Sequence, residues 1–319
     1  MNTTNIPFKW AFMGSGYFAR EVLEELYLHN FFPHLVITTP DKPAGRGLKP
    51  TPNPVKDFVL NVEARFFETA KVNSPQTQEF LKSEELDFLV VCDFGKILKK
   101  ELLNLYKFPA LNIHPSLLPK YRGAAPIERC LLSGDTKTGI TIIEMTEEVD
   151  AGPIISQVEV EISEDDTRGS LMEKLSKLVP EMLKEIFKSY LSGNIHKKPQ
   201  IGEISYAPKI TKEELFINWT EPSRSIFNKI RAFCPTPGAR TILQGSMVKI
   251  YKAKIINDDF NLRPGEIKVK NFEIFVGTGD HPLEILELQP AGKRVMRAKD
   301  FLAGRKIDGE FFEVKRGLQ

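Results

Sequence analysis

Lys9-Trp-Ala-Phe-Met-Gly14-Ser-Gly16 is a short apolar run ending in glycines, and Tyr17–His29 follows it with Phe18, Val22, Leu23 and Leu26 at helical spacing. A buried strand that turns through glycine straight into an amphipathic helix is the opening unit of an α/β sheet. The pattern recurs outward from it. His34-Leu-Val-Ile-Thr38, Asp87-Phe-Leu-Val-Val-Cys92 and Ala110–His114 are further apolar runs, and Glu101–Tyr106 has the look of a short helix between the last two. These alternations predict an α/β, Rossmann-like domain with a mostly parallel, doubly wound sheet.

Farther along, Gly139–Glu144 and Gly152–Val160 are β-branched runs on either side of an acidic turn. Thr167–Ser192 reads as one long amphipathic helix with Leu171, Leu175, Leu178, Met182 and Ile186 on one face. Polar, proline-containing sequence over 194–208 marks a linker, which divides the chain into residues 1–207 and 208–319. After a helical pattern at Ser223–Ala232, short strands broken by Gly, Pro and Asn (Met247–Lys254, Gly265–Val269, Glu273–Val276, Leu283–Leu288) are spaced like a small β-barrel.

The chain has 319 residues, 41% hydrophobic and 27% charged, which describes a globular protein. No apolar run approaches the ~18 residues of a membrane span, and the N-terminus lacks the features of a signal or transit peptide. Cys92, Cys130 and Cys234 are widely spaced, so neither a disulfide framework nor a zinc site is expected, and a reducing cytoplasm is. The five histidines form no HExxH, and no metal is expected. Residues 1–206 carry net −4 and residues 207–319 net +6. A basic C-terminal third suits a polyanion-binding appendage, or is scattered surface charge.

Gly14-Ser-Gly16-Tyr-Phe-Ala19 matches the dinucleotide fingerprint, with Asp41 near the distance of a ribose contact. Asp41, however, follows Pro40 and opens a Pro/Gly/basic loop, so a plain strand-to-helix turn is the favoured reading. Asn112-Ile-His114-Pro-Ser-Leu-Leu-Pro119-Lys-Tyr-Arg-Gly123 is more informative. Asn112 and His114 sit two apart at the end of a strand and project to one side of it. An amide and an imidazole there could meet a carbonyl oxygen that becomes negative, or could satisfy backbone groups of a proline-rich loop. In Glu147-Glu-Val-Asp150-Ala-Gly-Pro153, Asp150 stands where the chain must turn tightly, and its carboxylate could orient His114. Asn, His and Asp without a Ser or Cys nucleophile suit acyl transfer to an external amine.

At these residues the sequence resembles a known family. NIHPSLLPKYRGAAPI with TGITIIEM and VDAGPI is similar to the formyltransferases that use 10-formyltetrahydrofolate. Asp41–Gly47, Arg231–Ala239, Gln289–Lys293 and Phe301–Arg305 narrow the likeness, from about residue 9 to 306, to the branch acting on methionyl-tRNA.

The resemblance implies transfer of a formyl group from 10-formyltetrahydrofolate to the α-amino group of initiator methionyl-tRNA. Asn112, His114 and Asp150 match the catalytic positions. Phe94, Gly95, Ile97 and Leu98, with Ser116, Leu117, Leu118 and Pro119, match the folate-contacting stretches. Asp93 and Ala151 depart from the pattern, which has a small or apolar residue and a threonine there. Lys42, Arg46 and Lys49 fall in the loop that enters the acceptor end of the tRNA. Lys209, Arg231 and Lys249 would follow its backbone on an OB-like barrel. Phe233, Phe272 and Phe275 are expected in the core, and Trp219 at the start of the second domain. The family further implies a monomer, and the lack of targeting-peptide features leads us to expect it in the bacterial cytoplasm. Acceptors such as a sugar nucleotide or glycinamide ribonucleotide, water as acceptor, and a non-enzymatic tRNA-binding role remain as alternatives.

Overall fold

The computed structural model describes residues 8–44, 49–257 and 260–313. Contacts gather the chain into two compact units, one of residues 1–126, 137–161 and 172–208, the other of residues 127–136, 162–171 and 209–319. The second unit thus takes in two short segments from the stretch expected to belong wholly to the N-terminal domain.

The first unit is built on a seven-stranded sheet. Its strands are β1 (Trp10–Gly14), β2 (Leu35–Thr38), β3 (Phe66–Glu68), β4 (Phe88–Cys92), β5 (Leu111–His114), β6 (Lys137–Glu144) and β7 (Ile154–Glu161), in spatial order β7-β6-β5-β4-β1-β2-β3. β1 pairs in parallel with β2 and β4, β2 with β3, and β4 with β5, whereas β5–β6 and β6–β7 are antiparallel. The four central strands β2, β1, β4 and β5 are buried along nearly their whole length, as strands covered on both faces must be. On one face Phe187 meets Phe8, Trp10, Phe31 and Phe88 with ring centroids 4.9, 5.5, 5.7 and 4.3 Å away. Each such pair adds about 0.5–1.5 kcal/mol beyond area burial, which seats the helix Val179–Ser192 on the sheet.

The single helix expected over 167–192 is two, Arg168–Ser176 and Val179–Ser192. Pro180 is the reason: it has no N–H to give to the carbonyl four residues back, and its ring crowds that carbonyl. Proline instead opens the second helix, where a missing donor costs nothing. Helices Pro54–Asn61 and Pro75–Ser83 begin the same way. Asn53 accepts from Lys56 N–H at 3.0 Å and Ser74 from Thr77 N–H at 3.3 Å.

In the second unit, strands Ile267–Lys270, Glu273–Val276, Leu283–Pro290, Ser246–Ile255, Ala239–Leu243 and Phe312–Glu313 follow one another by antiparallel pairing. The path then returns on itself. Ile267 N–H donates to the Glu310 carbonyl and Phe312 N–H to that of Gly265, each at 2.8 Å, around the bridge Glu266↔Phe311. Phe233 and Phe275 are core residues. Trp219 is buried, stacks on Phe312 with centroids 5.5 Å apart, and donates from Nε1 to Thr241 Oγ1 at 3.0 Å. Phe272 departs from expectation, being 74% exposed. With Asn271 it forms the two-residue tip of a hairpin, at φ 52° and 63°, where the side chain has no interior to enter.

The helix Ser223–Phe233 has no side-chain cap from its own N-cap, Pro222. Asp280 supplies one from elsewhere in the chain, accepting from the N–H of Ser223 at 2.7 Å, the N–H of His281 at 2.6 Å and Thr278 Oγ1 at 3.1 Å. Burial would raise its carboxyl, but these hydrogen bonds outweigh it and hold the group at about 2, below the ordinary 3.8. A depressed carboxylate contributes stability above the unfolded value and loses it as pH falls through the folded one. Asp280→Ala should cost about 1 kcal/mol at pH 7. In urea titrations at a series of pH values the gap to wild type should close between about pH 4 and pH 2.

Candidate active site

β5 places Asn112 and His114 on one side of the sheet at the carboxyl end of its parallel part, where ligands of open α/β sheets bind. The chain leaving β5 is pinned by a buried hydroxyl. Thr141 Oγ1 on β6 donates to the Ser116 carbonyl at 2.6 Å and accepts from Leu118 N–H at 3.2 Å and Gln157 Nε2 at 2.9 Å. Gln157 Nε2 also donates to the Leu118 carbonyl at 3.0 Å. The first part of the proline-rich loop, at Ser116 and Leu118, is therefore held from the adjoining strands.

Asp150 sits in the turn between β6 and β7 at φ 53°, the left-handed region that a short polar side chain tolerates best after glycine. Two residues on, a Cβ on Gly152 would lie 1.7 Å from the Glu144 carbonyl oxygen, so the turn closes directly against the end of β6. Asn112 Nδ2 donates to Asp150 Oδ1 at 3.0 Å, and Gly123 N–H donates to Asp150 Oδ2 at 2.8 Å. His114 Nδ1 lies 3.5 Å from Asp150 Oδ2, and its Nε2 is 2.9 Å from the Tyr121 carbonyl. The amide, the imidazole and the carboxylate, 38 residues apart along the chain at the widest, form one cluster.

The hydrogen count shows what the cluster can do. Asn112 spends one amide hydrogen on Asp150 and keeps a second for another oxygen. A carbonyl can only accept, so His114 Nε2 carries a hydrogen in this pose. Donation from the ring to a substrate oxygen would exchange the Tyr121 contact for it. The separation to Asp150, long for a hydrogen bond, is of the kind that tightens when a reacting partner is bound.

The stretches matched to the folate divide into interior and open parts. Phe94 and Leu98 belong to the hydrophobic cluster beneath the sheet, and Ser116, Leu118 and Pro119 are buried. Ser116 Oγ donates to the Lys120 carbonyl at 2.6 Å. Gly95, at φ 71°, has open space where a side chain would be, Ile97 is exposed, and Leu117 is half-buried. An open backbone beside an exposed aliphatic side chain is a surface on which a flat heterocycle can lie. Among the described residues no group of three or more His, Cys, Asp or Glu is placed to hold a metal ion.

The glycine turn is not shaped for a dinucleotide. Ser15 and Gly16 N–H donate to the Asp93 carbonyl, and a Cβ on Gly16 would lie 1.7 Å from Asp93 Oδ2. The carboxylate thus occupies the helix N-terminus where a phosphate would sit. Asp41 is paired with Lys56 at 2.6 Å.

Of the basic residues, Lys42 and Lys49 lie exposed on a small hairpin, Lys42–Ala44 with Lys49–Thr51, and Arg46 lies outside the described residues. Lys209 is exposed, and Lys249 is half-buried, its ammonium pushed down by burial and by Arg240. Arg231 is not a surface cation. It is 8% exposed, with Nε donating to Asn228 Oδ1 at 3.0 Å and Nη1 to the Ser163 carbonyl at 3.3 Å. Reading its charge without its burial put it on the surface, although Asn228, three residues earlier on the helix, was the available sign of an internal partner. Tyr121, through its carbonyl, and Gly123, through its N–H, were also missed, because backbone groups leave no trace in residue type.

The family model for formyl transferase matches residues 8–187, and that for the formyl transferase C-terminal domain matches residues 209–306. A methionyl-tRNA formyltransferase of Thermodesulfovibrio yellowstonii is 41% identical over 298 residues, covering 93% of this chain and 96% of its own. One from Coprothermobacter proteolyticus is 41% identical over 306 residues, covering 95% and 99%. HypX from Aquifex aeolicus, solved in complex with tetrahydrofolic acid, shares the fold with a TM-score of 0.64 at 16% identity, over 96% of this chain and 51% of that one. With both of its domain models matched in order along almost the whole chain, this protein belongs to the formyl transferase family.

Proposed function

We propose that this chain transfers the formyl group of 10-formyltetrahydrofolate to the α-amino group of initiator methionyl-tRNA. The observation that carries the chemistry is the meeting of Asn112, His114 and Asp150 at the sheet edge. The acceptor follows from relatives of that name, 41% identical over nearly their full length.

The folate supplies a formyl carbon on a nitrogen that can leave. The neutral amine attacks that carbon, a C–N bond forms, and the carbonyl oxygen gains negative charge. Asn112 offers its second amide hydrogen to that oxygen, and His114 offers Nε2–H as it leaves Tyr121. Asn112, already held by Asp150, is a preformed donor of the kind that stabilises a tetrahedral oxyanion with little reorganisation. Asp150 holds the amide and the ring in place. The proton released by the amine passes by way of this cluster to the departing folate nitrogen, which restores the neutral products.

The backbone at Gly95, with Ile97 and Leu117, forms the open wall for the pterin, while Phe94, Leu98, Ser116, Leu118 and Pro119 hold that wall from within. Lys42 and Lys49 meet the acceptor end of the tRNA, joined by Arg46 in the same loop, and Lys209 and Lys249 follow its backbone. Residues 1–207 carry the chemistry and 208–319, as an OB-like barrel, the tRNA contacts. The enzyme works as a monomer in the bacterial cytoplasm.

Incubating the protein with 10-formyltetrahydrofolate and methionyl-tRNA, a sugar-nucleotide amine, or no acceptor tests the assignment. Formyl-methionyl-tRNA should form at least about 10³-fold faster than any other product, since a site built for one polar partner rejects others by such margins. Comparable formylation of the sugar amine, or release of formate alone, overturns it.

A further inference from the structure

Outside the catalytic cluster, one side chain spends every hydrogen-bonding position it has on the two segments that hold the cluster. Gln200 Nε2 donates to the carbonyls of Asp150 and Gly152 at 2.8 and 2.9 Å. Its Oε1 accepts from Arg122 Nε at 3.1 Å and Nη2 at 2.7 Å. Arg122 is itself 7% exposed, with Nη1 3.3 Å from Glu148 Oε1 in the same acidic turn. It also lies between Tyr121, whose carbonyl meets His114, and Gly123, whose N–H meets Asp150.

The geometry points to Gln200 as a positioning residue for catalysis: it clamps the Asp150 turn to the 121–123 segment, and so fixes the carboxylate against Asn112 and His114. Two physical points support this. Asp150 holds a left-handed backbone conformation, which persists only where the surroundings over-determine it. The carbonyls on either side of Ala151, at residues 150 and 152, are fastened to one amide nitrogen, so the turn cannot twist without losing both bonds. The amide is fully matched, two donors on two carbonyls and an acceptor on a guanidinium. Such a network specifies one arrangement and loses it when any member is replaced. The inference rests on the reading of Asp150 as part of the catalytic cluster.

Two substitutions of similar length test it. Gln200→Glu keeps an acceptor for Arg122 but turns an oxygen toward two carbonyls, while Gln200→Met fills the space and bonds to neither segment. Each should lower kcat about 10- to 100-fold, the loss expected from misplacement of about 1 Å. KM for both substrates should stay within about twofold, the urea midpoint close to wild type, and the acidic limb of the kcat–pH profile should move. A role in packing alone would spare Gln200→Glu and leave the pH profile in place. Asp150→Asn run alongside separates the two failures. If it abolishes transfer while both Gln200 variants keep wild-type kcat, the clamp is wrong and the site stands. If Asp150→Asn is also fully active, the reading of the site falls with it.

Discussion

Asn112→Ala lowers kcat about 10²–10³-fold, the loss seen when one oxyanion donor is removed, and leaves KM for folate and for methionyl-tRNA within a few-fold. The reason lies in when the bond matters. Asn112 holds Asp150 with one amide hydrogen at 3.0 Å, and the second gains strength only as the formyl oxygen becomes an alkoxide. An interaction made in the transition state and not in the bound ground state appears in kcat. Alanine removes both roles while leaving the strand, whose backbone pairs with β4 and β6, in register. Steady-state kinetics with each substrate varied in turn give the answer. An unchanged kcat would remove Asn112 from the chemistry, and a rise in KM alone would make it a binding residue.

The second large effect is at Gly152. A methyl there meets the Glu144 carbonyl oxygen at 1.7 Å, a backbone atom held by the β6–β7 pairing, where Glu144 N–H donates to the Pro153 carbonyl at 3.1 Å. Neither partner can yield as a flexible side chain would, so the turn has to lift from the sheet and carry Asp150 with it. Gly152→Ala should therefore destabilise by about 3 kcal/mol, the high end of ordinary single substitutions. It should also lower kcat about 10²-fold through misplacement of the carboxylate. Urea titration and a rate measurement on the folded fraction report the two separately. A stable variant with full activity would show that the close approach at Gly152 does not hold Asp150.

The fold was legible where burial was one-sided in sequence. β1, β2 and β4 are runs with almost no polar residue, because strands covered on both faces exclude them, and the glycine turn after β1 followed directly. Helices Pro54–Asn61 and Pro75–Ser83 carried their own signal in Asn53-Pro54 and Ser74-Pro75, a capping residue followed by proline at the first helical position. Hydrophobic periodicity over such short spans is too weak to show them. Pro180 was visible in the sequence, but the apolar stripe on either side of it concealed the break.

At the site, residue types on one strand revealed Asn112 and His114, and the tight acidic turn revealed Asp150. Gln200 was not legible. Its value comes from contacts 48 to 78 residues away, and nothing local distinguishes it from any polar residue of a linker. Phe272 shows the opposite limit: an aromatic side chain implies a core until two left-handed residues place it on a hairpin tip.

The most direct test of transfer at this cluster is a rapid-quench experiment with 10-formyltetrahydrofolate labelled in the formyl carbon, enzyme in excess and methionyl-tRNA bound. Label should leave the folate and appear on the methionyl amine at one and the same rate, with none on protein at any time. A protein-bound formyl group that forms early and decays into product would contradict direct attack by the amine under Asn112, His114 and Asp150.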